Sequence, residues 1–290
     1  MPFRRLTRPV LALGALWVLL LSGRGWSATV SSQGVSSLDA ATVAYDRLLD
    51  QNVRDGLVYY RALKQQRGAL DRFVAALALP ATAMDGWSRE RRAAFWINAY
   101  NALVVRLVLD HYPIAGRSAA YPPGSVRQIP GAFDRVMWRV GGRSLTLDQL
   151  ESTLIAQFDD PRMLLALGRG AVGSGRLRSE AYDPSRLEEQ LASVVTDCVQ
   201  AVTCVRVDEP AKTLWVSPVL SWREAAFVRR YAEGARGRYP GRSPIELAAV
   251  GLSEPALFAS ERAWLQENTF QVRYMDFDWR LNDLTGGPPR

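Results

Sequence analysis

The chain has 290 residues, 48% of them apolar and nine of them Trp, which is enough material for one large domain with a real core. Its formal charge of +7 falls to +3 when Arg4, Arg5, Arg8 and Arg24 leave with a cleaved N-terminus, and no Lys/Arg run remains that would make a nucleic-acid stripe. One His and two Cys leave too few soft ligands for a His/Cys metal centre, so no metal and no cofactor are expected.

The N-terminus has the layout of a secretory signal peptide. Arg4, Arg5 and Arg8 form a basic region, Val10 to Leu21 is apolar, and "SGRGWSA" supplies small residues before a cut near Ala28. An N-terminal membrane anchor is the alternative, although the run is short of the roughly 20 residues that a span needs. The reading is a signal peptide over 1–28 and a single domain over 29–290. The protein is then periplasmic or secreted, with no stable membrane span after cleavage.

Leu38 to Leu49 reads as a helix and "NVRDGLVYYRAL" as a loop broken at Gly56. Leu63 to Leu77 returns to helical spacing. Ser88 is a good N-cap for a long helix that Pro113 stops after His111. Ala115 to Pro130 is a Pro/Gly loop. "DRVMWRVGGRSLTLDQL" reads as a hairpin turning at Gly141-Gly142 and running through Thr146 into a helix. A further helix runs from Pro184 to about Val202, and "VRVDEPAKTLWVS" is a second hairpin. "FQVRYMDFDWRLND" reads as a last strand with an ordered end. The sum is an α+β fold, helix-rich, with a small antiparallel sheet built from hairpins.

Few residues invite a chemical role. Asn98 and Asn101 share one face of the apolar long helix, where a buried amide must find partners. They either pin neighbouring loops or hold a ligand amide or carboxylate. His111 sits where a helix C-terminus favours an imidazolium, and Arg106 and Asp110 form an i,i+4 pair. "GRGAVGSG" lacks the lysine of a P-loop, and Ser174 does not fit a G-x-S-x-G elbow. With His111 as the one histidine, a Ser-His-acid triad is not expected. Asp148, Glu151, Asp276 and Asp278 are the carboxylates available for an acid/base pair, and nothing in their spacing selects two of them. Cys198 and Cys204 form a disulfide if the helix ends near Thr203; on a continuous helix they point apart.

Together these segments resemble the domain-of-unknown-function 547 family of bacterial exported proteins and some plant proteins. "FWINAYNALVVRLVLDHYP" is similar to its signature helix and "DGLVYYRAL" to its G-x-V-D-Y segment. "VGGRSLTLDQLE" is similar to a hairpin entering an I-E-H helix, and "DPRMLLAL" with "LRSEAY" to D-P-R-I-H-F-A-L and its continuation. "FDWRLN" matches a closing Y-D-W-x-L-N, so the resemblance runs from about Asp55 to Asn282. The departures are specific. Ser152 and Leu164 stand where the family pattern carries His, and Arg169 and Ser174 where it carries Cys.

If those thiols and imidazoles form the family's reactive site, the resemblance implies a kept scaffold with its chemistry removed. The expectation is a binding or accessory protein with Asn98, Asn101, Glu151, Arg169 and Ser174 around its pocket. Arg169 would clamp a small carboxylate-bearing ligand or peptide. The first alternative is a cysteine-independent hydrolase or transferase using Ser174 with Glu151 or Asp148. The second is a structural envelope protein that meets a protein partner.

Overall fold

The computed structural model describes residues 25–286; the expected leader lies outside the described residues except at its end. Helix α1 (Gly25–Asn52) runs into a two-residue hairpin, β1 (Val53–Arg54) and β2 (Leu57–Val58). The helical spacing of Leu63 to Leu77 resolves into two helices, α2 (Tyr60–Gln65) and α3 (Gly68–Ala76). The chain breaks at Gln66–Arg67, where Gly68 opens the second helix. Helix α4 (Arg89–His111) starts where the side chain of Ser88 accepts from the Arg91 amide, 3.1 Å away. It ends before a cis Tyr112–Pro113 bond.

Every residue of α4 from Ala93 to Leu109 except Arg106 is buried, so this helix is the axis of the core. Trp96, Ile97, Tyr100 and Leu103 are each at most 1% exposed, and burying side chains of this size is worth about 1.5–3 kcal/mol apiece. Helices α2 and α3 pack on one side of α4. On the other side lies α5 (Leu147–Phe158), reached through the hairpin β3 (Trp138–Val140) and β4 (Arg143–Leu145). Gly141 and Gly142, with φ of +55° and +74°, make the tight turn that this hairpin needs. Thr146 and Gln149 cap α5 reciprocally, each side chain bonding the other's amide at 3.2 and 2.9 Å.

After α6 (Arg162–Leu165) comes the glycine-rich loop, then α7 (Leu187–Gln200). Helix α7 ends at Gln200 and the chain folds back at once. Cys198 and Cys204 thereby come to a Cα separation of 5.2 Å and are joined by a disulfide. Strands β5 (Val205–Asp208) and β6 (Thr213–Val216) form the second antiparallel hairpin.

Between β6 and the last strand the sequence suggests no element, yet most of the segment is helical. It holds α8 (Val219–Trp222), α9 (Glu224–Phe227), a π turn over Val228–Ala232, α10 (Glu233–Arg236), α11 (Pro244–Ser253) and α12 (Ala259–Gln266). A Cβ on Gly251 of α11 would lie 2.3 Å from the Tyr231 carbonyl, so the π turn and α11 approach at backbone distance. This long helical excursion lets β7 (Gln271–Tyr274) return parallel to β6, because parallel neighbours require a crossover. The result is α+β: a helical body with two separate hairpins and one three-stranded sheet.

The tail and the glycine-rich loop hold each other. The amides of Val172 and Gly173 donate to the carbonyls of Arg280 and Asp278, both at 2.9 Å, and Ala171 bridges Leu281. A Cβ on Gly175 would sit 1.7 Å from the Leu165 carbonyl oxygen, and one on Gly173 would sit 2.6 Å from the Asp278 nitrogen. Those glycines serve close packing of backbone on backbone.

Candidate functional site

The two asparagines of α4 are each engaged within the fold through both amide nitrogen and amide oxygen. Asn98 donates from Nδ2 to the Tyr182 carbonyl and accepts the Tyr182 amide at Oδ1, both at 2.9 Å. Asn101 donates to the Ala166 carbonyl at 3.1 Å and accepts the Gly168 amide at 2.9 Å. Each amide thus acts as a short piece of backbone for a loop that has no strand partner there. Neither residue lines a described cavity. Ser174 does similar work: its hydroxyl donates to the Ala171 carbonyl at 2.6 Å and accepts the Arg169 amide at 3.1 Å. Asn101 and Ser174 therefore hold the loop on either side of Arg169 and aim its side chain.

Arg169 points away from Ser174 toward α5. Its Nη2 meets Glu151 Oε2 at 2.9 Å, with the two side chains 4% and 11% exposed. Burial works against the Arg169 cation, yet the neighbouring Glu151 carboxylate, with Tyr100 and Asp148 beyond it, holds its pKa above the ordinary value. Arg223 reaches the other Glu151 oxygen at 3.8 Å. This ion pair floors a cavity of about 340 Å³ lined by Arg127, Phe133, Asp148, Glu151, Ser152, Arg169, Trp222, Arg223 and Trp279. That volume lies at the lower end of the range for ligand pockets, about 300–1,000 Å³.

The walls are aromatic. Trp222, Phe277 and Trp279 run together with ring centroids 5.1 and 4.3 Å apart. Trp279 also meets Phe133 and Tyr121, at 6.2 and 6.0 Å. The Arg127 guanidinium lies over Trp279, Phe133 and Tyr121 at 4.5, 5.1 and 5.6 Å. That stacking orients Arg127, and among the described residues its side chain makes no hydrogen bond or ion pair. Asp148, one turn before Glu151, likewise has no side-chain partner among the described residues. Burial, and then the Glu151 charge, raise its carboxyl above the usual value. The pocket therefore offers donors and an acceptor that the fold has not taken up.

Of the residues singled out in the sequence, the structure brings Glu151, Arg169 and Asp148 together. It sends Ser174 to a different cavity, shared with Asp55, Arg176, Asp197 and the Cys198–Cys204 bridge. Ser152 lines the pocket, but its hydroxyl donates to the Asp148 carbonyl at 2.9 Å. Leu164 is buried in the core. His111 places Nδ1 2.9 Å from the Leu107 carbonyl at the end of α4. Asp278 pairs with Arg280, and Asp276 is exposed on the tail. Arg106 and Asp110 join Arg67 and Asp71 in a four-residue ion-pair cluster across α3 and α4. Among the described residues, no cluster of three or more His, Cys, Asp or Glu side chains gathers that would hold a metal ion. No described helix is long and apolar enough to cross a membrane.

Sequence reasoning missed Arg127, Arg223, Trp222, Phe133 and Trp279. The nearest signal is the closing "FDWRLN", which carries Trp279.

No curated protein matches the chain, and no solved structure does. Residues 84–197, which carry α4, the β3–β4 hairpin, α5, the glycine-rich loop and most of α7, match the family model described as "Protein of unknown function, DUF547". Over this segment the chain is similar to the DUF547 family.

Proposed function

We propose that the chain is an exported binding or accessory protein whose Glu151–Arg169 pocket holds a small carboxylate-bearing ligand without turning it over. The observation that carries this reading is Arg127: a guanidinium fixed by three rings at the pocket wall, with its donors unmatched among the described residues. Arg223 stands loosely beside it, 3.8 Å from Glu151. A guanidinium fork held in place by aromatic rings suits a ligand carboxylate. Arg169, by contrast, is neutralised by Glu151, so it shapes the floor while Arg127 and Arg223 receive the ligand.

The hydroxyls near the pocket support binding without turnover. Ser152 is the one hydroxyl there, and the backbone of Asp148 occupies it. Ser174 faces elsewhere, its hydroxyl donating to the Ala171 carbonyl. Where the family pattern carries Cys and His, Arg169 and Ser152 present a bound cation and a tied hydroxyl, neither of them a nucleophile–base pair. The leader-like N-terminus and the Cys198–Cys204 bridge support export to an oxidising compartment, the periplasm or beyond.

A thermal-shift screen of the purified chain against small carboxylates tests the reading. A ligand at 100 times its dissociation constant adds about 2.7 kcal/mol of stability. The shift should vanish in Arg127→Gln and persist in Ser174→Ala. Silence from every carboxylate, or a hydrolytic activity lost in Ser174→Ala, overturns it.

A further inference from the structure

The pocket carries more than an anion receptor, and the surplus specifies the rest of the ligand. Trp222 is 38% exposed, high for a Trp on a cavity wall, and it continues through Phe277 and Trp279 as one aromatic surface. A surface of this kind is wasted on an open-chain carboxylate, which has no flat face to lay against it. It is matched by a ring whose C–H bonds or π face meet the negative face of the indole.

The polar groups then choose between kinds of ring. Asp148 has no side-chain partner among the described residues, and Arg127 and Arg223 offer more donors than one carboxylate accepts. A hydrocarbon ring would cover these groups and leave them unmatched, at a cost in affinity for each. A hydroxylated ring satisfies them: its hydroxyls donate to Asp148 and accept from the arginine forks. The charge agrees, since Glu151 and Arg169 cancel and the two remaining arginines outweigh Asp148, which calls for an anion. The volume of about 340 Å³ has room for a single sugar ring.

We propose that this pocket recognises a sugar acid, a pyranose ring bearing a carboxylate, with the carboxylate on Arg127 and Arg223, the ring against Trp222, and a hydroxyl on Asp148. The proposal rests on the binding reading above and narrows its ligand. Trp222 is then the specificity residue for the ring, and the two arginines are the residues for the charge.

Isothermal titration of the full chain with four probes separates the outcomes: glucuronate, glucose, succinate and benzoate. The expected order places glucuronate at least tenfold tighter than each of the others. Trp222→Ala should weaken glucuronate about tenfold and leave any succinate binding unchanged, with Trp222→Phe recovering most of the loss. Because Trp222 is partly exposed, its replacement should leave the melting temperature nearly in place, and an unchanged melt confirms that the loss is local. Asp148→Asn should weaken glucuronate more than succinate, which a merely structural role would not produce. Equal affinity for succinate and glucuronate overturns the ring requirement while the carboxylate reading stands. Benzoate binding more tightly than glucuronate overturns the sugar and leaves an aromatic acid as the ligand. No binding by any of the three acids overturns both.

Discussion

Two sets of polar residues, one packed against the core and one open at the pocket, are treated by the fold in opposite ways. Around α4, Asn98, Asn101 and Ser174 have their polar groups engaged by backbone partners. In the pocket beyond Arg169, Arg127 and Asp148 have no such partners among the described residues, and Arg223 is only loosely held. Polar groups matched inside the chain build it, because an unmatched buried group costs about 1–3 kcal/mol. Groups kept unmatched at a concave surface are available to something else. The Glu151–Arg169 pair stands on the border: it is matched like the first set and lines the pocket like the second.

The sharpest way to break that comparison is at the border. Replacing one partner, as in Arg169→Met, strands the Glu151 charge in a site only 11% exposed and should cost about 3–5 kcal/mol. The double variant Arg169→Met, Glu151→Leu should recover most of that loss in urea denaturation, because a well-packed apolar pair replaces the ions. A single variant as stable as the parent would show that the pair does not hold the floor.

Asn101→Ala tests the first set. It leaves the Ala166 carbonyl and the Gly168 amide without partners, so unfolding should become easier by about 2–6 kcal/mol, the sum of two such groups. Ligand binding should also weaken, since the loop that aims Arg169 loses its clamp. A loss of affinity with no loss of stability would move Asn101 into the second set.

The smallest effect concerns pH. Asp148 titrates above its unfolded value in the native state, through burial and then the Glu151 charge. Its contribution to stability is therefore complete below the unfolded value near 3.9 and declines as pH rises through the higher folded value. Because the side chain is exposed and screened by solvent, the decline should amount to a few tenths of a kcal/mol. Asp148→Asn should lack that decline when melting is compared between about pH 3.5 and 7. A bound sugar acid that takes a hydroxyl hydrogen bond to Asp148 should lower the carboxyl's titration, a shift readable by carbon NMR.

Much of the fold could be read locally. The N-cap at Ser88 and the stop at Pro113 bounded the long helix, and Gly141-Gly142 marked the first hairpin, because caps and tight turns depend on residues within one or two turns. The first half of the helical segment between Ser217 and Phe270 escaped because its helices are short, whereas α11, ten residues behind a Ser243 capping box, carries a local start signal. Helices α8, α9 and α10 have four residues each, and the π turn breaks the spacing that would reveal an amphipathic face. The parallel pairing of β7 with β6 escaped as well, since its partner is over fifty residues away in the chain.

The pocket was legible only in part. Glu151 and Arg169 stood out, the first for its helix and the second for replacing a cysteine in the family pattern. Arg127 and Arg223 were two among 36 basic residues with nothing local to distinguish them. Their meaning comes from convergence: the lining is drawn from a one-turn helix at Val126–Gln128, the start of α5, the glycine-rich loop, the end of α8 and the tail.

The amino-acid sequence by itself determined where the long helix begins and ends, where the hairpins turn, and that two amides would be buried on α4. Tertiary structure alone decided which polar groups are matched. Asn98 and Asn101 find their partners 65 to 84 residues away, and Arg127 meets rings from Tyr121 to Trp279. A hydrogen bond is satisfied or left open by what the folded chain brings within about 3 Å, and that proximity does not exist until the core has formed.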